Sequence, residues 1–413
     1  MYSTIVLHAN LQYAEIPKDE IPKVVEYSYI PVLSTLLEIP KIKVVLNFTG
    51  VTLEILHNSY PEVIKLLKKG IEKEKFELTA CGYSHPIFPL LPITDIRKQI
   101  EFNLRVLETT LNYTDVAGFW LPELAYDPTL PHILKEYGFT YIFIDEELYS
   151  WSSPLLNDSN PLNIPRQSAH HYVLELNKAK NLIEKLKRYR KAIKSIKKKC
   201  MNVDFYPIEL KGARGTITGI KVPHPWFIFT SAIMLNYPFV SFKKIKRILK
   251  KYRNHKGLVI PYGMDIEFIG YRHATEGRLI KPETFEKFLL NLGEIDDLEF
   301  ICPSKYLENN KPTDLVYVKT GSWAPDKRLD IWTRDEDNKK LERICDEIRW
   351  YMSQISTENL SEELWKHLLL AENSDGRGWD PIPERKLDCF VHALDALKIA
   401  KELYHDDYSK KKK

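Results

Sequence analysis

Long apolar runs, paired cysteines and a dominant charge are all missing from this chain. No stretch of about 18 apolar residues occurs that could span a bilayer. The N-terminus, MYSTIVLHANLQYAEIP, passes from a short apolar run to polar residues without a basic start, a long apolar middle or a small-residue cleavage site. These absences predict a cytoplasmic protein with no membrane partner. The five cysteines, Cys81, Cys200, Cys302, Cys345 and Cys389, are odd in number, scattered and never spaced as Cys-x-x-Cys. That pattern argues against a disulfide framework and a thiolate zinc site. Sixty Lys and Arg against 56 Asp and Glu leave a formal charge of +4 over 413 residues, too little to argue for nucleic acid. No Gly-x-Gly-x-x-Gly follows a strand, and neither a Walker lysine loop nor a Gly-x-Ser-x-Gly elbow occurs, so nucleotide cofactors and serine-hydrolase chemistry are not expected.

What is present is an ordinary globular composition, 44% hydrophobic and 28% charged, long enough for one α/β barrel with an appended helical region. The dense mixture of Lys and Glu suits a protein that works hot. Through the first half, short apolar runs alternate with helix-like stretches, the pattern of a parallel sheet wrapped by helices. Strands are predicted at Tyr2 to His8, Lys43 to Phe48, Phe76 to Ala80, Val116 to Trp120 and Tyr141 to Ile144. Helices are predicted at Ile21 to Leu37, Pro61 to Lys69, Thr94 to Leu107 and Leu130 to Tyr137. Strands return at Leu258 to Tyr262 and Leu298 to Cys302, with a helix near Pro282 to Leu292 between them. The reading divides the chain into a catalytic part over 1–305 with an insertion around 151–240, a mostly helical region over 306–405, and a disordered basic tail over 406–413. Within the insertion, the basic run Lys178 to Lys199 reads as a solvated helix with a stripe of Leu182, Ile183, Leu186, Ile193 and Ile196.

In an α/β barrel the active site gathers where the strands end at their carboxyl side, so polar residues just after predicted strands come first. In GFWLPELAYDP, Pro122 breaks regular structure before Glu123, setting a carboxylate at a rim between Trp120 and Tyr126, flat surfaces of the kind that stack on sugars. The plain alternative is that Glu123 caps the helix near Thr129 or pairs with an arginine. In YGMDIEFIGYR, Asp265 and Glu267 share one side of an extended chain, and their repulsion would keep one of them protonated near neutrality. The alternative is ion pairing with Arg272 or Arg278. His8 and His85 follow strands and suit sugar binding. As zinc ligands they would need a third partner, for which His170 and His171 are weak candidates. ENSDGRGWDP places Asn373, Asp375, Arg377 and Trp379 in a glycine-broken loop between helices, a costly interruption unless it acts in the site.

Taken in order, these five segments resemble the conserved regions of glycoside hydrolase family 57. Within it, HANLQYAEIPKDEIPKV, GSWAPDKRLDIW and ENSDGRGWDPIPERKLD look most like a short archaeal branch of α-galactosidase type. The resemblance implies an incomplete (β/α)7 barrel followed by a helical region that completes the active site. It further implies retaining cleavage or transfer of α-glycosidic bonds in α-galactosides or α-glucans. By position it makes Glu123 the nucleophile and Asp265 the general acid/base, with His8, Asn10, His85, Trp120, Glu267, Asp375 and Trp379 binding an oligo- or polysaccharide and no metal or other cofactor. Double displacement of this kind needs carboxyl groups about 5–5.5 Å apart. The first region reads His-Ala-Asn where many members have His-Gln-Pro, which leaves the sugar open between galactose and glucose. Two other classes compete: a metal-dependent carbohydrate deacetylase using His8 and His85, and a sugar-binding protein without catalysis.

Overall fold

Strands covered on both faces have no polar side to show, and that is how this sequence builds its sheet. A computed structural model describes residues 1–152, 182–273, 278–312 and 314–411. The strands are β1 (Tyr2–Ser3), β2 (Ile5–Ala9), β3 (Val44–Phe48), β4 (Phe76–Thr79), β5 (Gly118–Phe119), β6 (Tyr141–Asp145), β7 (Ile208–Lys211), β8 (Thr216–Val222), β9 (Leu258–Val259), β10 (Gly263–Asp265), β11 (Glu299–Phe300) and β12 (Leu315–Val316). Every residue of β2, β3 and β6 is buried. Parallel pairing runs β10-β2-β3-β4, crosses by the single bridge Ala80 to Phe119 onto β5, and continues through β6 to β8. The antiparallel strand β7 pairs with the far side of β8, and β12 lies beyond it.

Successive side chains point to opposite faces, and two separate cores result. Ile5, Leu7, Val44, Leu46, Ile142 and Ile144 pack outward against the helices. Val6, Val45, Tyr141, Phe143, Ile220, Val222 and Ile260 make a second cluster on the inner face. Val222 and Ile260 belong near opposite ends of the strand order yet share that cluster, so the sheet curls around it. A Cβ on Gly263 of β10 would stand 3.1 Å from Val222. Among the described residues no ladder joins β8 to β10.

The fold class is α/β. Beyond the sheet, helices Glu336–Gln354, Glu362–Ala371 and Pro383–Lys411 share their own core of Leu341, Ile348, Leu364, Leu368, Ala393 and Ala396. Arg349 ties this unit to the sheet side, bonding Asp95 of helix Ile93–Leu111 at 2.6 Å and Glu372 at 2.9 Å. No described helix is long and apolar enough to cross a membrane.

Several expectations change. Strand β8 lies inside the span read as an insertion, paired in parallel with β6. Helix Leu182–Cys200 buries Tyr189, Ile193, Ile196 and Cys200, while Leu186 is exposed. Of the expected stripe, Ile193 and Ile196 are thus buried and Leu186 is not, while the side chains of Leu182 and Ile183 lie outside the described ones. The last helix runs to Lys411 where a disordered tail is expected from 406, because Asp407 is buried and accepts a 2.6 Å hydrogen bond from Asn359.

Candidate active site

Strand register builds the floor of the site. Asp265 of β10 stands opposite His8 of β2, His8 opposite Asn47 of β3, and Asn47 opposite Thr79 of β4, so four polar residues form one row near the carboxyl ends of adjacent strands. Above them lies a narrow cavity of about 60 Å³ that opens to solvent. His8, His85, Trp120, Glu123 and Asp265 all line it, together with Tyr13, Asp145, Val222, His224 and Trp323. Residues from both ends of the chain thus meet at one place.

Glu123 is buried, and its backbone takes the left-handed conformation (φ 56°), as does that of Leu124 (φ 45°). Such strain in non-glycine residues persists only where the surroundings enforce it. Its carboxylate accepts hydrogen bonds from the indole N–H groups of Trp323 (2.6 Å) and Trp379 (3.1 Å). Burial pushes the Glu123 carboxyl up to about 7, against the opposing pull of the His85 charge and those two donors, while Asp375 adds to the rise. Among the described residues, Glu123 therefore neither caps the helix nor pairs with an arginine. Asp127 instead fastens the turn ahead of that helix, accepting at 2.8 Å from the Thr129 amide. Tyr126 is fully buried and lies outside the lining.

Asp265 sits where β10 ends and forms the anticipated ion pair, 2.7 Å from Arg272. The Arg272 guanidinium also reaches Glu15 and lies over the rings of Tyr13 and Phe268, at 4.5 and 4.4 Å. Arg278 instead donates to the Leu235 carbonyl at 3.3 Å. Glu267 does not follow Asp265 on an extended chain, because Ile266–Phe268 forms a tight helical turn. It points behind the wall, fully buried, accepting from the Asn10 amide at 2.9 Å and from the Tyr29 hydroxyl. Burial first, and then repulsion from Asp265, push its carboxyl up to about 8. Tyr29 ends a π-helical turn, Val25–Tyr29, whose Tyr27 carbonyl comes so near Gly270 (φ 96°) that a Cβ there would fall 1.8 Å away.

The two histidines are held differently. Asn47 uses its amide N–H to bond Thr79 and the Ala80 carbonyl, so its carbonyl oxygen accepts from His8 Nδ1 at 2.5 Å. Burial, and then the His85 charge, drive the His8 pKa well down, leaving a neutral ring with a bare Nε2. Burial also works against protonation of His85, yet Asp375, 3.0 Å from its Nδ1, outweighs it and raises the pKa. The rings of Trp120, His8 and His85 stack in sequence, with centroids 5.6 and 4.7 Å apart. Opposite them, His224, Trp323 and Trp379 form a second stack at 5.4 and 4.9 Å.

Asn10, Glu267, Asp375 and Trp379 are outside the lining itself. Asn10 donates to Asp375 at 2.7 Å, Asp375 orients His85, and Trp379 reaches Glu123 with its N–H, so three of the four act through another residue of the site. The lining residues that sequence reasoning did not select include Tyr13, Asp145, His224 and Trp323. Asp145 ends β6 and could have been found by the same strand-end rule. His224 follows the unrecognised β8, and Trp323 carries no local signal beyond the segment GSWAPDKRLDIW.

Buried polar atoms without partners are rare, since each costs about 1–3 kcal/mol. Four occur on lining residues: His8 Nε2, Tyr13 Oη, Trp120 Nε1 and Asp145 Oδ1. Such a cavity suits a ligand rich in hydroxyls, with flat faces to stack on its rings. The ligand atoms of His85, Glu123 and Asp375 also lie within 4.8 Å of one another, close enough to hold a metal ion. The raised His85 pKa gives that group an internal cation between its carboxylates. His170 and His171 lie outside the described residues.

The model of glycosyl hydrolase family 57 matches residues 4–319. An alpha-amylase of Pyrococcus horikoshii is 35% identical over 126 residues, 30% of this chain and 20% of that protein. A 4-alpha-glucanotransferase of Thermococcus litoralis is 33% identical over 119 residues, 29% of this chain and 18% of that protein. The matched stretch is thus about a fifth of these relatives' length. The solved structure of 4-alpha-glucanotransferase from Thermococcus litoralis superposes with a TM-score of 0.65 at 16% identity, covering 96% of this chain and 57% of that one. A branching enzyme from Thermococcus kodakaraensis superposes with a TM-score of 0.66 at 15% identity, covering 97% and 90%. At these identities the superpositions concern the fold.

Proposed function

Since the chain belongs to glycosyl hydrolase family 57, we propose that it is a retaining α-glycosidase acting on α-glucans, with Glu123 as nucleophile and Asp265 as general acid and base. The observation that carries the reading is that these two acids, 142 positions apart in the chain, line one cavity at the carboxyl ends of the strands. For the fold, the reading takes the incomplete (β/α)7 barrel. In its support, β10, β2, β3, β4, β5, β6 and β8 follow one another in parallel around a common inner core.

In the first step the Glu123 carboxylate attacks the anomeric carbon as Asp265 gives its proton to the departing glycosidic oxygen, so a C–O bond breaks while an ester forms. Asp265, now a carboxylate, takes a proton from water or from an incoming sugar hydroxyl, and that oxygen displaces Glu123. Two inversions retain the α configuration. The Trp323 and Trp379 N–H groups hold the Glu123 carboxylate in place through Oε2, and Asp375 favours the charged form of His85 beside it. His8 Nε2 is a ready acceptor for a sugar hydroxyl, and the Trp120 ring offers a stacking face.

Glucan rather than galactoside is favoured because the relatives named above are, by name, an amylase, a glucanotransferase and a branching enzyme. The deacetylase alternative draws on the His85, Glu123 and Asp375 cluster. One experiment separates the readings: Glu123→Ala assayed with aryl α-glucoside, aryl α-galactoside and soluble starch, with and without azide, and product anomers followed by NMR. The expected result is near-complete loss, with azide restoring turnover to give the β-glucosyl azide, because azide then makes the only inversion. Turnover unchanged in the variant, or release of reducing ends abolished by EDTA in the unaltered enzyme, would remove the assignment. Dominant cleavage of the galactoside would keep the mechanism and overturn the sugar.

A further inference from the structure

Helices Glu362–Ala371 and Pro383–Lys411 lead into and out of the loop that carries Asp375 and Trp379 to the cavity. On these two helices, away from the cavity lining, three potential metal ligands converge. His367 stands on the incoming helix, and His392 and Asp395 lie one turn apart on the outgoing one. The two Nδ1 atoms are 3.0 Å apart, and Asp395 Oδ2 lies 3.9 Å from His367 Nδ1. All three ligand atoms fall within 4.8 Å of one another.

From this juxtaposition we propose that His367, His392 and Asp395 form a binding site for a divalent transition metal ion, with zinc as the best fit, which staples the two helices bracketing the active-site loop. Two imidazole nitrogens and one carboxylate are a zinc-type donor set, with a fourth position left for water. Two Zn–N bonds of ~2.05 Å at a tetrahedral angle put the nitrogens ~3.3 Å apart, a little wider than the 3.0 Å between the two Nδ1 atoms. Lys18 stands nearby as an opposing charge, and it is itself paired with Asp388 at 2.5 Å. The bland account of the same geometry is one proton shared between two rings.

The site is independent of the sugar chemistry, so its test does not use turnover. Isothermal titration of the metal-free full chain with ZnCl2 at pH 7.5 should show one ion bound per chain. Thermal unfolding with 100 µM ZnCl2 should show a midpoint raised by roughly 2 °C or more. His367→Asn and His392→Asn should each remove both effects while keeping the circular dichroism of the parent. Asp395→His should tighten binding by about tenfold by adding a third imidazole. No heat and no shift in the parent would overturn the proposal. So would binding that survives both histidine variants, or binding abolished by Asp375→Asn, which would place the ion at the cavity cluster instead.

Discussion

Two stacked walls face each other across Glu123, and they are built by different means. The wall of Trp120, His8 and His85 rises from strand ends and the turns directly after them. Its histidines are pinned from behind, His8 by Asn47 and His85 by Asp375. The wall of His224, Trp323 and Trp379 takes His224 from just after β8, but its Trp323 and Trp379 are carried by segments outside the sheet. Its outermost residue, Trp379, holds a left-handed backbone (φ 59°). The first wall presents bare polar atoms to a ligand, whereas the second turns two N–H groups onto the carboxylate. Recognition and activation of Glu123 are thereby divided between a rigid, locally determined surface and one that depends on distant packing.

The largest effect should come from the carboxylate between the walls. Glu123→Gln keeps the shape and the space but supplies no nucleophile, and kcat should fall roughly 10⁴-fold with the fold intact. A variant within tenfold of the parent in an initial-rate assay would leave the two walls enclosing nothing catalytic.

Next comes the foundation of the second wall. Arg349 joins Asp95, Glu342 and Glu372, and Glu372 opens the loop that ends in Trp379. Asp95 and Glu372 are nearly inaccessible, so Arg349→Met strands buried carboxylates and should cost about 3–5 kcal/mol in chemical denaturation. A loss below about 1 kcal/mol would mean the helical unit is held by its apolar core alone, and that the second wall does not depend on this anchor.

The first wall is tested by Asp375→Asn. The amide cannot sustain a charged His85, although it can still bond Asn10, so kcat/KM should drop roughly 100-fold. Unchanged kcat/KM would show that the ring's charge plays no part and that Asp375 only fastens the loop.

These two walls also mark how far the sequence could be read. His8, His85, Trp120 and Asp265 follow short apolar runs, and parallel strands force such positions to one end of the sheet, so strand-end logic found them. The same rule passed over Asp145, one residue beyond a correctly read strand. It could not reach His224, because β8 alternates Thr, Ile and Gly inside a stretch that looked like an insertion. Trp323 comes to Glu123 from 200 positions away through a backbone pairing of Tyr126 with Gly321, a contact with no local signature. Asn10 and Glu267 were recognisable as polar and near strands, but pattern alone cannot say whether a side chain faces a cavity or the packing behind it. That depends on the tight turn at Ile266–Phe268 and on the π turn that delivers Tyr29.

The smallest expected effect sharpens the contrast most. Glu123 must be ionised to attack, and burial pushes its pKa up to about 7, so kcat/KM should rise with pH through a limb near 7 instead of near the usual 4.5. Indole N–H donors favour the anion, and removing one must move that limb to higher pH. A hydrogen bond to a charged acceptor contributes about 1.5–3 kcal/mol, which corresponds to roughly one to two pH units. Trp323→Phe, which loses the 2.6 Å bond, should shift the limb further than Trp379→Phe, which loses the 3.1 Å bond. Both variants should be impaired more at pH 6 than at pH 8. A limb that stays in place in both, or moves to lower pH, would show that the second wall acts on the substrate alone and leaves the carboxylate to its burial.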